Sequence, residues 1–258
     1  MNILIGADPE LFVKKDGVVV SGHDLIQGTK ADPFPVQDGA VQVDGMALEF
    51  NIDPAPSVED FTFNITSVMT QLQDMVPDHE LLLDSVAHFD EAYLEGVPKS
   101  AKVLGCDPDF NAYTERENKS PDASRTMRTA AGHIHIGWTE GEHAHDDHHF
   151  SKCIDIVKQL DIYLGIPSLL YDEGDERREM YGKAGAFRPK SYGVEYRVLS
   201  NKWLQSKELM EQVYNNACQA VVDIMDGTVM STYILDAETI INTGNKDRAK
   251  AIVKDMGW

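Results

Sequence analysis

The chain has 258 residues, of which 42% are hydrophobic and 26% charged, a composition typical of globular proteins and unlike that of disordered or fibrous chains. Its formal net charge of −20 creates a negative mean field, which disfavours binding to nucleic acids and to anionic membranes. A chain of this length can fill one large domain, and we expect residues 1–258 to form a single domain.

The cysteines and the N-terminus indicate the cellular compartment. Cys106, Cys153 and Cys218 are odd in number and widely spaced, so they suit neither a disulfide framework nor a Cys-x-x-Cys metal pair. The N-terminus lacks a basic segment before its short apolar run, and no apolar stretch reaches the ~18 residues of a membrane span. We therefore expect a cytoplasmic protein with neither a signal peptide nor a membrane segment.

A β-hairpin is predicted at the N-terminus. Residues 3–13 have the pattern of a strand, and residues 16–20 supply a tight turn and a second short strand. Asp8 and Glu10 are two residues apart and therefore share one face of the first strand. The alternative to a functional role is that both carboxylates simply face water. Pro9 cannot donate a ladder hydrogen bond, which favours an edge strand or a bulge.

Two further segments precede the first helix. Residues 22–39 are polar and rich in turn residues, so we expect a loop near the site, and a lid is one interpretation of it. Residues 40–51 alternate in hydrophobicity around Asp44-Gly45, which predicts a second hairpin with those two residues at its turn. In its second strand, Glu49 points to the face opposite its two apolar neighbours.

The next elements have the pattern of scaffold. Ser57 begins a sequence that resembles a capping box, and apolar residues recur at helical spacing as far as Val76. This predicts a core-packing helix that stops at Pro77. Residues 81–86 are typical of a strand, whereas residues 88–124 are irregular.

Two short motifs carry the polar residues of a candidate active site. In the GHIHIG motif at residues 132–137, polar and apolar residues alternate, so His133 and His135 project from one face of a strand. Glu195 and Arg197 repeat this spacing in a second motif. A hydrated or hydrogen-bonded sheet face is the alternative, but two imidazoles, a carboxylate and nearby guanidiniums favour a site for metal and phosphate.

A tract dense in histidine and acid follows the first motif. It runs from His143 to His149 and lacks large apolar residues, so we expect a solvated, dispensable loop without a specific metal. Apolar residues at helical spacing then predict a helix over residues 150–164. From about residue 206 onward the chain is expected to be mainly helical scaffold.

A basic stretch interrupts this acidic chain. Residues 177–202 contain seven basic side chains and two acidic ones. Local positive charge on an acidic body suits a nucleotide or a carboxylate substrate. The seven basic residues are Arg177, Arg178, Lys183, Arg188, Lys190, Arg197 and Lys202.

The predicted strands offer five candidate metal ligands, four of them carboxylates. Oxygen-rich sites with one imidazole suit Mg²⁺ or Mn²⁺, whereas structural zinc sites prefer cysteine and histidine. Divalent ions beside arginines meet the needs of phosphoryl transfer, and no P-loop, nucleophile elbow or kinase catalytic-loop motif occurs in the sequence. The five candidate ligands are Asp8, Glu10, Glu49, His133 and Glu195.

The combined order of these motifs resembles the glutamine synthetase and glutamate-cysteine ligase superfamily. It resembles more closely the phage-encoded carboxylate-amine ligases assigned to that fold. The resemblance covers about residues 3–203: an acid pair on the first strand, Glu49 in a following hairpin, the GHIHIG motif, the arginine-rich stretch and Glu195-x-Arg197. The family more often has Glu-x-Glu where this chain has Asp8-Pro9-Glu10, so the shorter Asp8 is the least secure ligand.

The resemblance implies a fold and a reaction. The fold is α+β, with a curved, mostly antiparallel sheet that cradles the site and is backed by helices, as in glutamine synthetase. The reaction is the ATP-dependent joining of a small-molecule or peptide carboxylate to an amine through an acyl phosphate, with ATP and Mg²⁺ (or Mn²⁺) as cofactors. The single domain is then a ligase catalytic domain, located in the host cytoplasm if the protein is phage-encoded.

Residue roles also follow from the resemblance. It implies metal binding by Glu10, Glu49, His133 and Glu195, with Asp8 as the fifth candidate ligand. It implies that His135 lies near the nucleotide phosphates and that Arg197 stabilises phosphate charge. The basic region expected to contact phosphate or substrate includes Arg177, Arg178, Lys183 and Arg188, and the catalytic set is Arg188, Glu195 and Arg197.

Two other functions stay open. A metal-dependent hydrolase would use His133, His135 and Glu195 with a bound water. A catalytically inactive binding or virion-associated protein would keep the ligase fold without its activity. ATP dependence separates the ligase from the hydrolase, whereas the sequence defines neither the substrates nor the oligomeric state.

Overall fold

The computed structural model describes residues 2–102, 109–119, 126–144, 146–173 and 175–257. Cys106, His145 and part of the irregular segment lie outside these ranges. The strands within them are β1 (Leu4–Lys15), β2 (Val18–Val20), β3 (Phe34–Val36), β4 (Gly39–Asp44), β5 (Ala47–Ile52), β6 (Glu80–Leu82), β7 (Val86–His88), β8 (Phe110–Asn111), β9 (Arg116–Glu117), β10 (Met127–Thr129), β11 (Gly132–Gly137), β12 (Ala186–Lys190) and β13 (Gly193–Tyr196).

The helices in the same ranges are α1 (Val58–Met75), α2 (Glu91–Gly96), α3 (Lys99–Lys102), α4 (Asp147–Leu160), α5 (Ile166–Ser168), α6 (Asp175–Met180), α7 (Lys207–Met225), α8 (Ala237–Asn242) and α9 (Lys246–Asp255). A π-helical turn, Asp161–Gly165, joins α4 to α5, and 3₁₀ turns occur at Asn201–Gln205 and Met230–Thr232. Among the described helices, none combines the length and the apolar character needed to cross a lipid bilayer.

Strand β1 is the centre of a large antiparallel sheet. Among the described residues, eleven strands form this sheet, while β7 and β10 pair with each other separately. The order across the sheet is β3-β4-β5-β1-β11-β13-β12-β8-β9, and β2 and β6 pair with the C-terminal part of β1. Neighbours in this order come from distant parts of the sequence, so the sheet places the first polar motif, on β11, next to β1 and the second, on β13, next to β11.

The sheet has one apolar and one polar face because its strands alternate in hydrophobicity with the period of the pleat. On the apolar face Ile5, Leu11, Ile134 and Ile136 are fully buried. Helices α1, α4 and α7 contact this side of the sheet, and their buried residues form one core cluster with it. The helical layer thereby fixes the strands whose other face carries the polar groups.

Helix α1 shows how the local sequence builds this layer. The Ser57 hydroxyl accepts a hydrogen bond from the Asp60 N–H at 3.1 Å, and the Asp60 carboxylate accepts one from that hydroxyl at 2.6 Å. The cap satisfies a backbone donor that the first turn leaves without an intrahelical partner. Phe61, fully buried, stacks on Trp203 with ring centroids 5.8 Å apart. Burial of each such side chain contributes about 1.5–3 kcal/mol.

The structure confirms the α+β class, the mostly antiparallel sheet and the helices that back it. The predicted helix that stops before Pro77 and the helical C-terminal part are also confirmed. Three local predictions were wrong. Residues 88–124, expected to be irregular, contain α2, α3, β8 and β9. Residues 81–86 are not one strand, because β6 joins the large sheet whereas β7 pairs with β10. Residues 34–36 of the predicted loop form the edge strand β3, which pairs with β4.

Candidate active site

Strand β1 sets the geometry of the site because it pairs with β11 along one edge and with β5 along the other. From Leu4 to Pro9 it pairs with β11, so that Asp8 lies opposite His133. At Glu10 it pairs with β5, and Glu10 lies opposite Glu49. The expectation that Pro9 marks an edge strand was therefore wrong: β1 is central, and Pro9, which has no N–H, directly precedes the two residues that pair with β5.

One polar group joins Asp8 to the two histidines of β11. The Asp8 carboxylate lies 3.4 Å from His133 Nδ1 and 3.1 Å from His135 Nε2, and Glu195 Oε1 lies 3.7 Å from His133 Nδ1. Asp8, His135 and Glu195 each offer a ligand atom within 4.8 Å of the others. Side chains from β1, β11 and β13 thus meet over one patch of the polar face.

The protonation of this group follows from burial and charge. Burial opposes ionisation of Asp8, yet His135 and His133 hold the pKa of its carboxyl well below the ordinary value. Burial, helped by the Arg197 charge, lowers the pKa of His133 to about 4. Burial alone would lower the pKa of His135, but the Asp8 carboxylate raises it above the ordinary value. Near neutral pH His133 is therefore a neutral imidazole, with a ring nitrogen able to bind a metal.

A second polar group consists of Glu10, Asp44 and Glu49, whose carboxylate oxygens also lie within 4.8 Å of one another. Glu10 Oε2 accepts a hydrogen bond from the Ala131 N–H at 2.9 Å. Glu49 is 6% exposed, and its Oε2 is buried without a hydrogen-bond partner among the described residues. Lys30 Nζ lies 2.7 Å from Asp44 Oδ2.

These acids repel one another in a dry environment. Burial, helped by the neighbouring Asp44 carboxyl, raises the pKa of Glu10 to about 7. Burial and then the Asp8 charge raise the pKa of Glu49 well above its ordinary value. The prediction that Asp44 forms the hairpin turn was wrong. Asp44 is the last residue of β4, the turn is Gly45-Met46, and the Asp44 carboxylate joins the polar group.

The Glu195 carboxylate has the opposite surroundings. It is 1% exposed and lies 3.0 Å from Arg188 Nη1, 2.8 Å from Lys190 Nζ and in direct contact with Arg197 Nη1. Burial opposes its ionisation, but Arg197 holds the pKa of Glu195 below the ordinary value. Arg197 also donates through Nε to Asp109 at 3.1 Å. The Glu195 charge is thus more than balanced by its neighbours.

Tyr181 and Tyr192 connect the cations around Glu195 to the two histidines of β11. Arg197 Nη2 donates to the Tyr181 hydroxyl, which lies 3.4 Å from His133 Nε2. The Tyr192 hydroxyl lies 2.5 Å from His135 Nδ1. A hydroxyl bonded to a ring nitrogen fixes the orientation of the imidazole and the nitrogen that faces the site.

A cleft of about 810 Å³ opens beside the two polar groups. This volume is within the usual range for ligand pockets, ~300–1,000 Å³. Its walls combine acids of both polar groups with the aromatic rings of Trp138 and Tyr192 and with Lys30, which lies in the predicted loop 22–39. The predicted position of that loop near the site is confirmed, whereas its role as a lid stays a prediction. Further lining residues are Asn2, Gly6, Pro33, Gln42, Asn51, His135 and Glu140.

The donor set fits divalent cations. Glu49 Oε2 is buried without a hydrogen-bond partner among the described residues, and buried polar atoms rarely stay unpaired. Carboxylate oxygens with one imidazole suit Mg²⁺ or Mn²⁺. Glu10, Asp44 and Glu49 would hold one divalent cation, whereas Glu195 already contacts three cationic side chains, so metal binding by Asp8, His135 and Glu195 stays a prediction.

The structure brings together eight of the eleven residues proposed from the sequence: Asp8, Glu10, Glu49, His133, His135, Arg188, Glu195 and Arg197. The other three were assigned to phosphate or substrate, and their placement does not favour it. Arg177 is buried and donates to the Val198 and Leu199 carbonyls, both at 2.8 Å. Arg178 pairs with Asp172 at 3.6 Å, and Lys183 is exposed.

Sequence reasoning missed several residues of the site. Lys190 shares the period-two alternation of Arg188, and Asp44 shares the polar face of Gln42, so both carried a usable signal. Lys30, Asp109 and the two tyrosines carried none, because loop residues reach the site only through tertiary packing.

The prediction for the histidine tract was wrong at one position. Asp146 caps α4 through bonds to the His148 and His149 N–H groups, so the end of the tract is helical. His149 is buried, and its Nε2 donates to the Lys190 carbonyl at 2.8 Å. Its ring also lies 5.9 Å from that of Trp138. His149 therefore supports both the cationic strand β12 and the cleft wall.

Comparison with known families identifies the chain. Residues 112–253 match the family described as Phage phiEco32-like COOH.NH2 ligase-type 2. The chain belongs to this family. The family name describes a ligase that joins carboxyl to amino groups, which agrees with the resemblance read from the motifs. No curated protein matches the sequence.

The matched segment covers only part of the site of this ligase-family member. It includes β11, β12 and β13 with both histidines and the cations around Glu195. It begins after β1, β4 and β5, so Asp8, Glu10, Asp44 and Glu49 lie outside the matched residues. The cations around Glu195 and the acids of β1, β4 and β5 therefore come from different parts of the chain.

Proposed function

We propose that the protein is an ATP-dependent carboxylate-amine ligase that acts through an acyl phosphate. The observation that supports this most is the adjacency, on one sheet face, of three clustered carboxylates, Glu10, Asp44 and Glu49, and a cation-rich patch beside a large cleft. The first can balance divalent cations and the second can balance phosphate. A metal nucleotide is a ligand that carries both charges.

The cleft suits the nucleotide. Trp138 and Tyr192 offer aromatic surfaces for a planar base, and the cleft reaches Asp8, Glu49 and His135 at its floor. The phosphates of a nucleotide held there would extend toward Arg188, Lys190 and Arg197. A divalent cation held by Glu10, Asp44 and Glu49 would neutralise phosphate charge, as in other phosphoryl-transfer sites.

The residues of the cationic patch have separate tasks in this reaction. A substrate carboxylate oxygen attacks the γ-phosphorus, the bond to ADP breaks, and Arg188, Lys190 and Arg197 balance the charge on the transferring group. Fixed cations are effective because they need no reorganisation during the reaction. An amine nitrogen then attacks the acyl carbon, phosphate leaves, and an amide bond is formed.

The hydrolase alternative has less support. It requires His133, His135 and Glu195 to bind one catalytic metal with a free position for water. Glu195 instead contacts three cations, and a second carboxylate group with no role in such a mechanism lies beside it. The ligase proposal uses both groups.

Isothermal titration calorimetry tests the proposal directly. We expect ATP to bind in the presence of Mg²⁺ and to lose most of its affinity in excess EDTA. Glu49→Gln should weaken Mg-ATP binding about tenfold or more, because it removes one charge from the metal group. Glu80→Gln is the matched control, since Glu80 is an exposed acid on β6 that pairs with Lys14.

The titration has clear contrary results. ATP binding of equal strength in EDTA, or no ATP binding with Mg²⁺ present, would contradict the proposal. If ATP binds as expected, ADP release in a screen of amines with candidate carboxylates identifies the substrates.

A further inference from the structure

Lys30 occupies a distinctive position in the site. Its Nζ lies 2.7 Å from Asp44 Oδ2, and its side chain lines the cleft together with Asp8 and Glu49. A lysine ammonium is charged at neutral pH, and here it lies within hydrogen-bond distance of the Asp44 carboxylate. The Lys30 ammonium therefore faces both the three carboxylates, Glu10, Asp44 and Glu49, and the space proposed for the nucleotide.

The backbone around Lys30 is fixed. The Val43 N–H donates to the Gly28 carbonyl at 3.2 Å, and Thr29 and Asp32 exchange backbone hydrogen bonds of 3.0 and 3.1 Å. Gly28 has φ +101°, and a Cβ there would lie 2.3 Å from the Val41 carbonyl oxygen. Only glycine fits this close approach without displacing β4 or the loop. The loop thus delivers the Lys30 side chain to one place.

The ammonium and a divalent cation compete for the same negative charge. Glu10, Asp44 and Glu49 offer oxygens within 4.8 Å of one another, and Lys30 contacts one of them. A cation bound among these oxygens would repel an ammonium at hydrogen-bond distance from Asp44. The flexible four-carbon stem of lysine lets the head move while the backbone stays in place.

We propose that Lys30 is a built-in counterion of Glu10, Asp44 and Glu49 that a divalent cation displaces into the cleft, where its ammonium pairs with a phosphate of the nucleotide. The inference rests on the proposed function for the identity of both ligands. It assigns Lys30 two alternating partners, so the residue weakens metal binding in the absence of nucleotide and strengthens nucleotide binding in the presence of metal.

The test measures binding rather than turnover. Free Mn²⁺ is followed by electron paramagnetic resonance in nucleotide-free protein, and ATP affinity is measured by calorimetry at saturating Mn²⁺. We expect Lys30→Met to bind Mn²⁺ on the order of tenfold more tightly and ATP on the order of tenfold more weakly. The matched control is Lys14→Met, because Lys14 also pairs with an acid on a neighbouring strand, Glu80, at 3.8 Å.

A second variant moves the ammonium without removing it. Gly28→Ala forces the loop away from β4 and should shift both affinities in the same directions as Lys30→Met. If Lys30 only stabilises the fold, Lys30→Met lowers the melting temperature and leaves both affinities unchanged, which overturns the inference. The inference is also overturned if Mn²⁺ binds Lys30→Met more weakly than wild type.

Failure of the proposed function gives a different pattern. Neither the wild type nor Lys30→Met would then bind Mn²⁺ or ATP, which contradicts both proposals together. Binding of both ligands by the wild type with unchanged affinities in Lys30→Met contradicts only the role of Lys30.

Discussion

The two sides of the site differ in how their charges are balanced. Glu10, Asp44 and Glu49 lie together with Lys30 as the cation in contact among the described residues, whereas Glu195 contacts three cations, Arg188, Lys190 and Arg197. Arg197 also contacts Asp109. We call these the acidic side and the cationic side. The acidic side has too little positive charge and the cationic side too much. Burial makes both imbalances costly, because charges interact more strongly away from water.

This difference suggests what each side is suited to accept. Added positive charge relieves the acidic side, and added negative charge relieves the cationic side. A divalent cation with a polyphosphate satisfies both requirements in one ligand. The family match spans only the cationic side, so the acidic side depends on residues before the matched segment.

The largest effect is expected on the cationic side at Arg197. Its guanidinium contacts Glu195, Asp109 and the Tyr181 hydroxyl in three directions, and a lysine ammonium cannot reproduce this planar arrangement. Arg197→Lys should therefore slow ADP release about 10²-fold or more, equivalent to roughly 3 kcal/mol, at saturating metal and ATP.

The control for Arg197 is Lys207→Ala on α7, where the lysine is 70% exposed and pairs with Glu211. It should retain wild-type turnover. Near wild-type turnover of Arg197→Lys, with loss of turnover in Lys207→Ala, would show that the cationic side is not the reaction centre.

The next largest effect is a change in the free energy of unfolding, which should have opposite signs on the two sides. In EDTA at pH 8, Glu195→Gln leaves three cations around a neutral amide and should lower the free energy of unfolding by about 3 kcal/mol or more. Glu49→Gln should instead raise it by about 1 kcal/mol or more. Folding raises the pKa of Glu49, so the protonated carboxyl favours the folded state. This contribution to the free energy of unfolding is lost as pH rises above the unfolded pKa near 4.5, and glutamine, which stays neutral, avoids the loss.

Urea unfolding of both variants measures this contrast. Saturating Mn²⁺ should reverse the gain for Glu49→Gln, because the wild type then binds a cation that the variant binds poorly. Destabilisation of equal size in both variants without metal would refute the charge comparison.

The sequence predicted the faces of the strands better than their neighbours. Alternation at His133-Ile134-His135-Ile136 gives one polar and one buried face, since side-chain direction on a strand is a local property. The pairing of Asp8 with His133 joins residues far apart in the chain, and no local pattern specifies it. The order of motifs in the resembled family, rather than periodicity, indicated that these residues share a site.

Charge counting had a similar limit. It correctly located a basic region at residues 177–202, but it did not distinguish Lys190, beside Glu195, from Arg177, which bonds to backbone carbonyls. Asp44 was assigned to the turn because Asp-Gly is a strong turn pair, whereas the hairpin places Gly45-Met46 at the turn. The register of strand pairing decides which residues form the turn and which side chains reach the site, and tertiary packing sets that register.

The smallest effect is expected behind the cationic side, at His149. This residue donates to the Lys190 carbonyl from a buried position and lies beside Trp138, so it supports strand β12 and one wall of the cleft. His149→Ser should lower the free energy of unfolding by about 1–3 kcal/mol, because the Lys190 carbonyl loses its donor and the packing is incomplete.

The exposed His143 and His148, replaced together by serine, should change the free energy of unfolding by no more than about 0.5 kcal/mol. Urea unfolding distinguishes the two variants, and His149→Gln, which keeps an N–H donor, should recover part of the loss. If all three histidine variants unfold like the wild type, His149 does not support the cationic side.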